Sequence, residues 1–98
     1  MRRRAPWITE KQWQANVETI ARLHGWMAYH TFDSRKSSPG FPDLVMLRGP
    51  RLVVAELKTE RGRVGLAQRR WLDAFRRSGA EVFVWRPSDI QAVERVLR

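Results

Sequence analysis

Along the chain, stretches in which apolar residues recur every third or fourth position alternate with stretches in which they run together. Trp13, Val17, Ile20, Ala21 and His24 share one side of a helix at about 100° per residue. Thr9 followed by Gln12 has the form of a capping box that opens that helix, and Gly25 stops it. "WMAYHTF" then reads as a strand and "DSRKSSPGFP" as an exposed loop, because Ser, Pro and Gly punctuate rather than pack. Two apolar runs, "DLVMLR" and "RLVVAELK", flank Gly49-Pro50 and predict a β-hairpin. After the basic connection "TERGRVG", the spacing of Trp71, Leu72 and Phe75 predicts a helix over 66–78 that Gly79 ends. "EVFVW" reads as a last buried strand, and Ser88 as the cap of a final helix with Ile90, Val93 and Leu97 on one side. The order is helix, three strands, helix, strand, helix. A hairpin followed by a strand–helix–strand crossover makes this an α/β fold with a mixed sheet flanked by helices.

Charge narrows the partners. Among 98 residues, 19 Lys and Arg stand against 10 Asp and Glu, a formal net charge of +9, and all but three of the basic residues are Arg. The guanidinium fork suits phosphate oxygens, so the expected partner is a nucleic acid; a merely solvated basic surface is the plainer alternative. The arginines are scattered rather than gathered on one amphipathic face, which disfavours a membrane surface. No apolar stretch approaches the length of a signal peptide or membrane span, so the expected location is the cytoplasm. The chain has no cysteine, which excludes disulfides, thiolate zinc sites and a Cys nucleophile. Residues 1–8 are expected to form a basic arm and 9–98 a single domain.

The hairpin brings the chemistry in. With its turn on Gly49-Pro50, Arg48 faces Arg51, Leu44 faces Ala55, and one step further Asp43 faces Glu56. Directly opposed residues share a face, with Cβ atoms about 4.5–5.5 Å apart. Two carboxylates so placed repel unless they share a cation, and their hard oxygens suit Mg²⁺ or Mn²⁺. Lys58 returns to the same face by strand alternation, where its ammonium can orient an attacking water. Leu57 turns its side chain away but leaves its carbonyl as a neutral ligand. A slip of one residue would separate the acids, and Pro50 is not favoured in the usual two-residue turns. The alternative for these three residues is an exposed ion pair, which does not explain two acids bordering apolar runs.

A further acid comes from the first helix. Glu10 falls near the axis of its apolar stripe and is expected to face inward, while Glu18 lies roughly eighty degrees away; a first-turn acid that only favours the helix dipole is the alternative for Glu10. His30, on a buried strand, reads as a hydrogen-bonded core histidine rather than a general base, and His24 is no stronger. The loop 33–41 and the connection 59–65 adjoin the acids, so Arg35, Lys36, Arg61 and Arg63 are placed to hold phosphates, while Arg69, Arg70, Arg76 and Arg77 either extend the footprint or merely solvate a helix.

Glu10, "GFPDL", "AELK" and Gln68, in this helix order, resemble the PD-(D/E)xK nucleases, and specifically the stand-alone VRR-NUC domain of phage and bacterial replication and repair proteins. The resemblance covers nearly the whole chain. It implies a restriction-endonuclease-like core and a Mg²⁺- or Mn²⁺-dependent endonuclease of a bacterial or phage-infected cell. Asp43, Glu56 and Lys58 then form the catalytic core, with Glu10 as an auxiliary ligand and Gln68 at a recurrent polar position. It further implies a Holliday junction resolvase acting on DNA as a homodimer, whose twofold axis matches the two symmetry-related strands of a four-way junction. Trp7 and Trp26, at helix ends, are candidates for the interface, with core burial as the alternative. Two other readings stay open: a nuclease of flaps, nicks or single strands, and a module that binds nucleic acid without cutting it.

Overall fold

The computed structural model describes residues 8–32 and 36–98. Most of the arm at residues 1–8, together with Trp7 and Arg35, therefore lies outside the described residues. The elements are α1 (Glu10–Leu23), β1 (Met27–His30), β2 (Leu44–Arg48), β3 (Arg51–Leu57), α2 (Leu66–Arg77), β4 (Glu81–Trp85), a 3-10 turn (Pro87–Asp89) and α3 (Ile90–Leu97). The sheet order is β1-β2-β3-β4. The first two pairings are antiparallel and the third is parallel, which is the mixed sheet expected.

Local chemistry explains the boundaries. Thr9 and Gln12 form the reciprocal capping box of α1, closing two of the free N–H groups at its start. Gly49 has φ +57°, and with the negative φ that Pro50 imposes this matches the sign pattern of a type II′ hairpin turn. That turn holds the expected register, Arg48 opposite Arg51 and Leu44 opposite Ala55. The facing arginines do not spread the hairpin because each has partners of its own. Arg51 grips Glu81 through two bonds of 2.8 and 2.7 Å. Arg48 donates to the carbonyls of His24, Leu97 and Arg98.

The main core lies between α1, α3 and the sheet face of Met46, Val53, Ala55, Leu57 and Trp85. Trp13, Val17 and Ala21 of α1 enter it together with Val93 and Leu97 of α3. Two of the three buried indoles find carbonyl acceptors, Trp13 on Trp85 at 3.0 Å and Trp26 on Leu97 at 2.9 Å. Trp26 is thus a core residue, with the guanidiniums of Arg48 and Arg51 over its ring, and not an interface aromatic. α2 packs on β3 and β4, bringing Leu72 into the interior.

Three local expectations are corrected. His24 does not join the α1 stripe: it is the exposed C-cap residue, already past the last helical turn. Ser88 caps nothing; the 3-10 turn intervenes, and its hydroxyl donates to Glu60 instead. β4 is only partly buried along most of its length, because it is an edge strand.

Candidate active site

The sheet end where β2 begins and β3 finishes carries the acids. Continuing the register one step past Leu44 and Ala55 sets Asp43 opposite Glu56. Asp43 is fixed from both sides: its Oδ2 accepts from the Leu57 N–H at 2.8 Å, and its carbonyl accepts from the Thr31 N–H at 2.9 Å. Glu56 is 2% exposed. Its Oε2 accepts from Gln68 Nε2 at 2.7 Å and lies 3.7 Å from Lys58 Nζ. Its Oε1 is buried and has no hydrogen-bond partner among the described residues.

The approach loop "PGFPD" sets Gln68 against Glu56. Gly40 has φ +82°, and a Cβ there would fall 2.4 Å from the Ala67 carbonyl carbon and 2.6 Å from Gln68 N. Only glycine lets the loop lie on the first turn of α2. Phe41 then wedges against Trp71 and Phe75, and the Trp71 indole donates to the Pro39 carbonyl. Gln68 completes the link: its Oε1 accepts from Gly65 N at 2.7 Å at the helix start while its amide nitrogen reaches Glu56. The sequence showed Gly40 only as a loop glycine, since the surface it touches belongs to an element 27 residues away.

Electrostatics follow from that packing. Burial, reinforced by the neighbouring Asp43 charge, pushes the Glu56 carboxyl up to about 8; Lys58 pulls the other way, and Glu10 adds a small push. Burial also raises Asp43, against the Leu57 N–H, Glu56 and Lys58, which favour its charge. At neutral pH, with no cation added, the pair therefore holds a proton, and protonated Glu56 can donate to Asp43. A buried carboxylate oxygen without a partner, facing a second carboxylate, fits a hard divalent cation such as Mg²⁺ or Mn²⁺. Asp43 and Glu56 would hold it, with the Leu57 carbonyl as a neutral donor.

Glu10 departs from expectation. It is exposed, being the first residue of α1 and projecting past the end of the core, though it is near enough to be felt at Glu56. Among the described residues no three acidic or histidine side chains gather into a metal-binding group. Glu18 lies 3.7 Å from Arg22 and 3.8 Å from His30, and among the described residues its buried Oε2 likewise has no hydrogen-bond partner. His30 Nδ1 meets Gln14 Nε2 at 2.8 Å, so it is hydrogen-bonded as expected, but β1 is alternately exposed and His30 is half-buried rather than a core residue. Lys36, Arg61, Arg63 and Arg69 are exposed. Arg86, which sequence reasoning passed over, donates to three carbonyls of the 59–62 loop, and main-chain acceptors leave no sequence signal.

An acid opposite an acid-x-Lys strand end, on a four-stranded mixed sheet between helices, is the arrangement of the PD-(D/E)xK nucleases. The chain belongs to the VRR-NUC domain family of these nucleases, whose pattern it matches over residues 6–89. Solved structures share the fold. One described as a VRR_NUC domain protein superposes with a TM-score of 0.65 at 18% identity, covering 94% of this chain and 87% of its own. A second, a VRR_NUC domain, gives 0.63 at 24%, covering 86% and 92%. Hjc, a Holliday junction resolvase from the archaeal hyperthermophile Archaeoglobus fulgidus, gives 0.58 at 21%, over 76% of this chain and 66% of the resolvase, just under two thirds. No curated protein matches the sequence. Among the described residues no helix is long and apolar enough to cross a membrane.

Proposed function

We propose that this chain is a Mg²⁺- or Mn²⁺-dependent endonuclease that hydrolyses phosphodiesters of branched DNA, acting as a homodimer on four-way junctions. The observation that carries the reading is Glu56: buried, raised to about 8, and opposite Asp43 with one oxygen unpartnered among the described residues. Buried carboxyls shifted this far cluster at functional sites, and a second carboxylate facing the unpartnered oxygen is what supports a cation here. A divalent ion in this cradle supplies charge neutralisation at the phosphoryl oxygens. Asp43 and Glu56 hold the site, Gln68 fixes the rotamer of Glu56, and Lys58 orients the attacking water and favours loss of its proton. Glu10, at the edge, is placed to touch solvent or substrate entering the site.

Junction preference and dimerisation are supported by the likeness to a resolvase fold and by one surface. Met27, Tyr29 and Leu47 lie 73%, 59% and 45% exposed on one face of β1 and β2, beyond the reach of α2. An uncharged apolar face on a chain of net charge +9 suits a second copy better than a polyanion.

Synthetic four-way, flap and linear duplexes, each with and without Mg²⁺, test the reading. Native protein is expected to nick the four-way junction symmetrically and only with the ion, and Asp43→Ala to bind DNA without cutting it. No cutting of any substrate by native protein would overturn the enzymatic reading, and equal cutting of all three would overturn the junction preference.

A further inference from the structure

The loop that leaves β3 after Lys58 is held from one side. Arg86, just past β4, donates from Nη1 to the carbonyls of Thr59 at 2.7 Å, Gly62 at 2.7 Å and Glu60 at 3.3 Å. The loop's one carboxylate is turned the same way: Glu60 accepts from Ser88 N at 2.6 Å and from Ser88 Oγ at 3.0 Å. The carbonyls of Thr59, Glu60 and Gly62 and the Glu60 carboxylate are thereby engaged within the fold, and the charged side chains the loop leaves to solvent are cationic. Arg61 and Arg63 from the loop, Arg69 from α2 and Arg86 itself line a cavity of about 410 Å³ that also includes Glu60 and Gly62. None of the four guanidiniums forms an ion pair among the described residues.

Four like charges around one cavity repel one another, and an anion that enters relieves the repulsion. Guanidinium forks match the oxygens of a phosphate better than a spherical ion. Arg86 is already immobilised by its three carbonyls, so it loses little freedom on binding, while the exposed Arg61, Arg63 and Arg69 can close over the ligand. The cavity also abuts Lys58: a Cβ on Gly62 would lie 3.4 Å from Lys58 Cδ, so the lysine stem rests on the cavity wall.

We infer that this cavity is a second phosphate site, which takes a phosphate of the substrate strand next to the one held at Asp43, Glu56 and Lys58. The assignment rests on the reading that the chain acts on nucleic acid, but not on cleavage. Arg86 is its positioning residue, setting both the cavity and the loop that follows Lys58.

Binding measured by fluorescence anisotropy in EDTA tests it. The probes are a four-way junction carrying one neutral methylphosphonate at successive positions, and nicked duplexes ending in a 5′-phosphate or a 5′-hydroxyl. For native protein, one position besides the scissile phosphate should weaken binding about fivefold or more when neutralised, since each phosphate contact contributes separately. In Arg63→Gln/Arg69→Gln the same change should cost less than about twofold, and the slope of log affinity against log salt should fall by about two. Both arginines are exposed, and circular dichroism checks that the variant folds. A response to the methylphosphonate assigns an internal phosphodiester, and a response to the nick terminus assigns a strand end; either supports the site. Equal effects in both proteins, or none outside the scissile position, would overturn it. Persistence of the phosphate dependence with no cleavage of any substrate would instead remove the nuclease reading and leave the cavity assignment standing.

Discussion

Glu56→Gln is the perturbation whose effect the structure fixes most tightly. In the native protein without a divalent ion, the Glu56 carboxyl is raised from 4.5 to about 8 by burial and by Asp43. At about 1.4 kcal/mol per pH unit, ionising it in the fold costs on the order of 4–5 kcal/mol as a ceiling, less where the proton is shared with Asp43. The sign follows from proton counting. Between 4.5 and about 8 the folded state holds a proton that the unfolded state has released, so stability falls as pH rises through that window and levels off above it. Asp43, also raised, acts in the same direction. Glutamine mimics the protonated acid: its oxygen can accept from Gln68 and its amide can donate to Asp43. In EDTA the two proteins should melt within a few degrees of each other at about pH 5, while at about pH 8.5 the variant should melt higher by ~10 °C or more. Scanning calorimetry across that range reads the difference directly. A native melting temperature that stays flat with pH, with the variant no higher at the alkaline end, would refute the burial argument.

Two further substitutions probe the support of the site. Gly40→Ala sets a Cβ against the Ala67 carbonyl at a positive φ, and should cost at least ~2 kcal/mol in urea unfolding; a change within about 0.5 kcal/mol would show that the loop does not lie on α2 as described. Lys58→Met removes the positive charge that lowers Glu56, so metal-free stability should go on falling above pH 8 and cleavage should drop by about 10² or more; an unchanged cleavage rate would remove Lys58 from the chemistry.

The hairpin register was legible because two signals agreed on it. Alternation placed apolar residues on both strands, and a two-residue gap at Gly49-Pro50 left one pairing that kept Asp43 opposite Glu56. The capping box of α1 was legible because its partners lie three residues apart. Contacts between distant segments were not. Gly40 on the backbone of Ala67, Gln68 on Glu56 and Arg86 on the 59–62 loop join residues whose proximity depends on the whole sheet. Helical projection placed Glu10 inward, but at the first residue of a helix the core has already ended, so angle alone did not decide burial. The same end effect put His24 in solvent, while Trp26, one residue past Gly25, turned back into the core beneath two arginines.

The central claim is that Asp43 and Glu56 form one site for a divalent ion, and isothermal titration of Mg²⁺ or Mn²⁺ at about pH 7 in two buffers of different ionisation enthalpy tests it most directly. Because Glu56 is protonated below about 8, binding should release close to one proton per ion, a release that vanishes in Glu56→Gln together with most of the affinity. Binding with no proton release, or no binding by protein that retains its fold, would contradict the account.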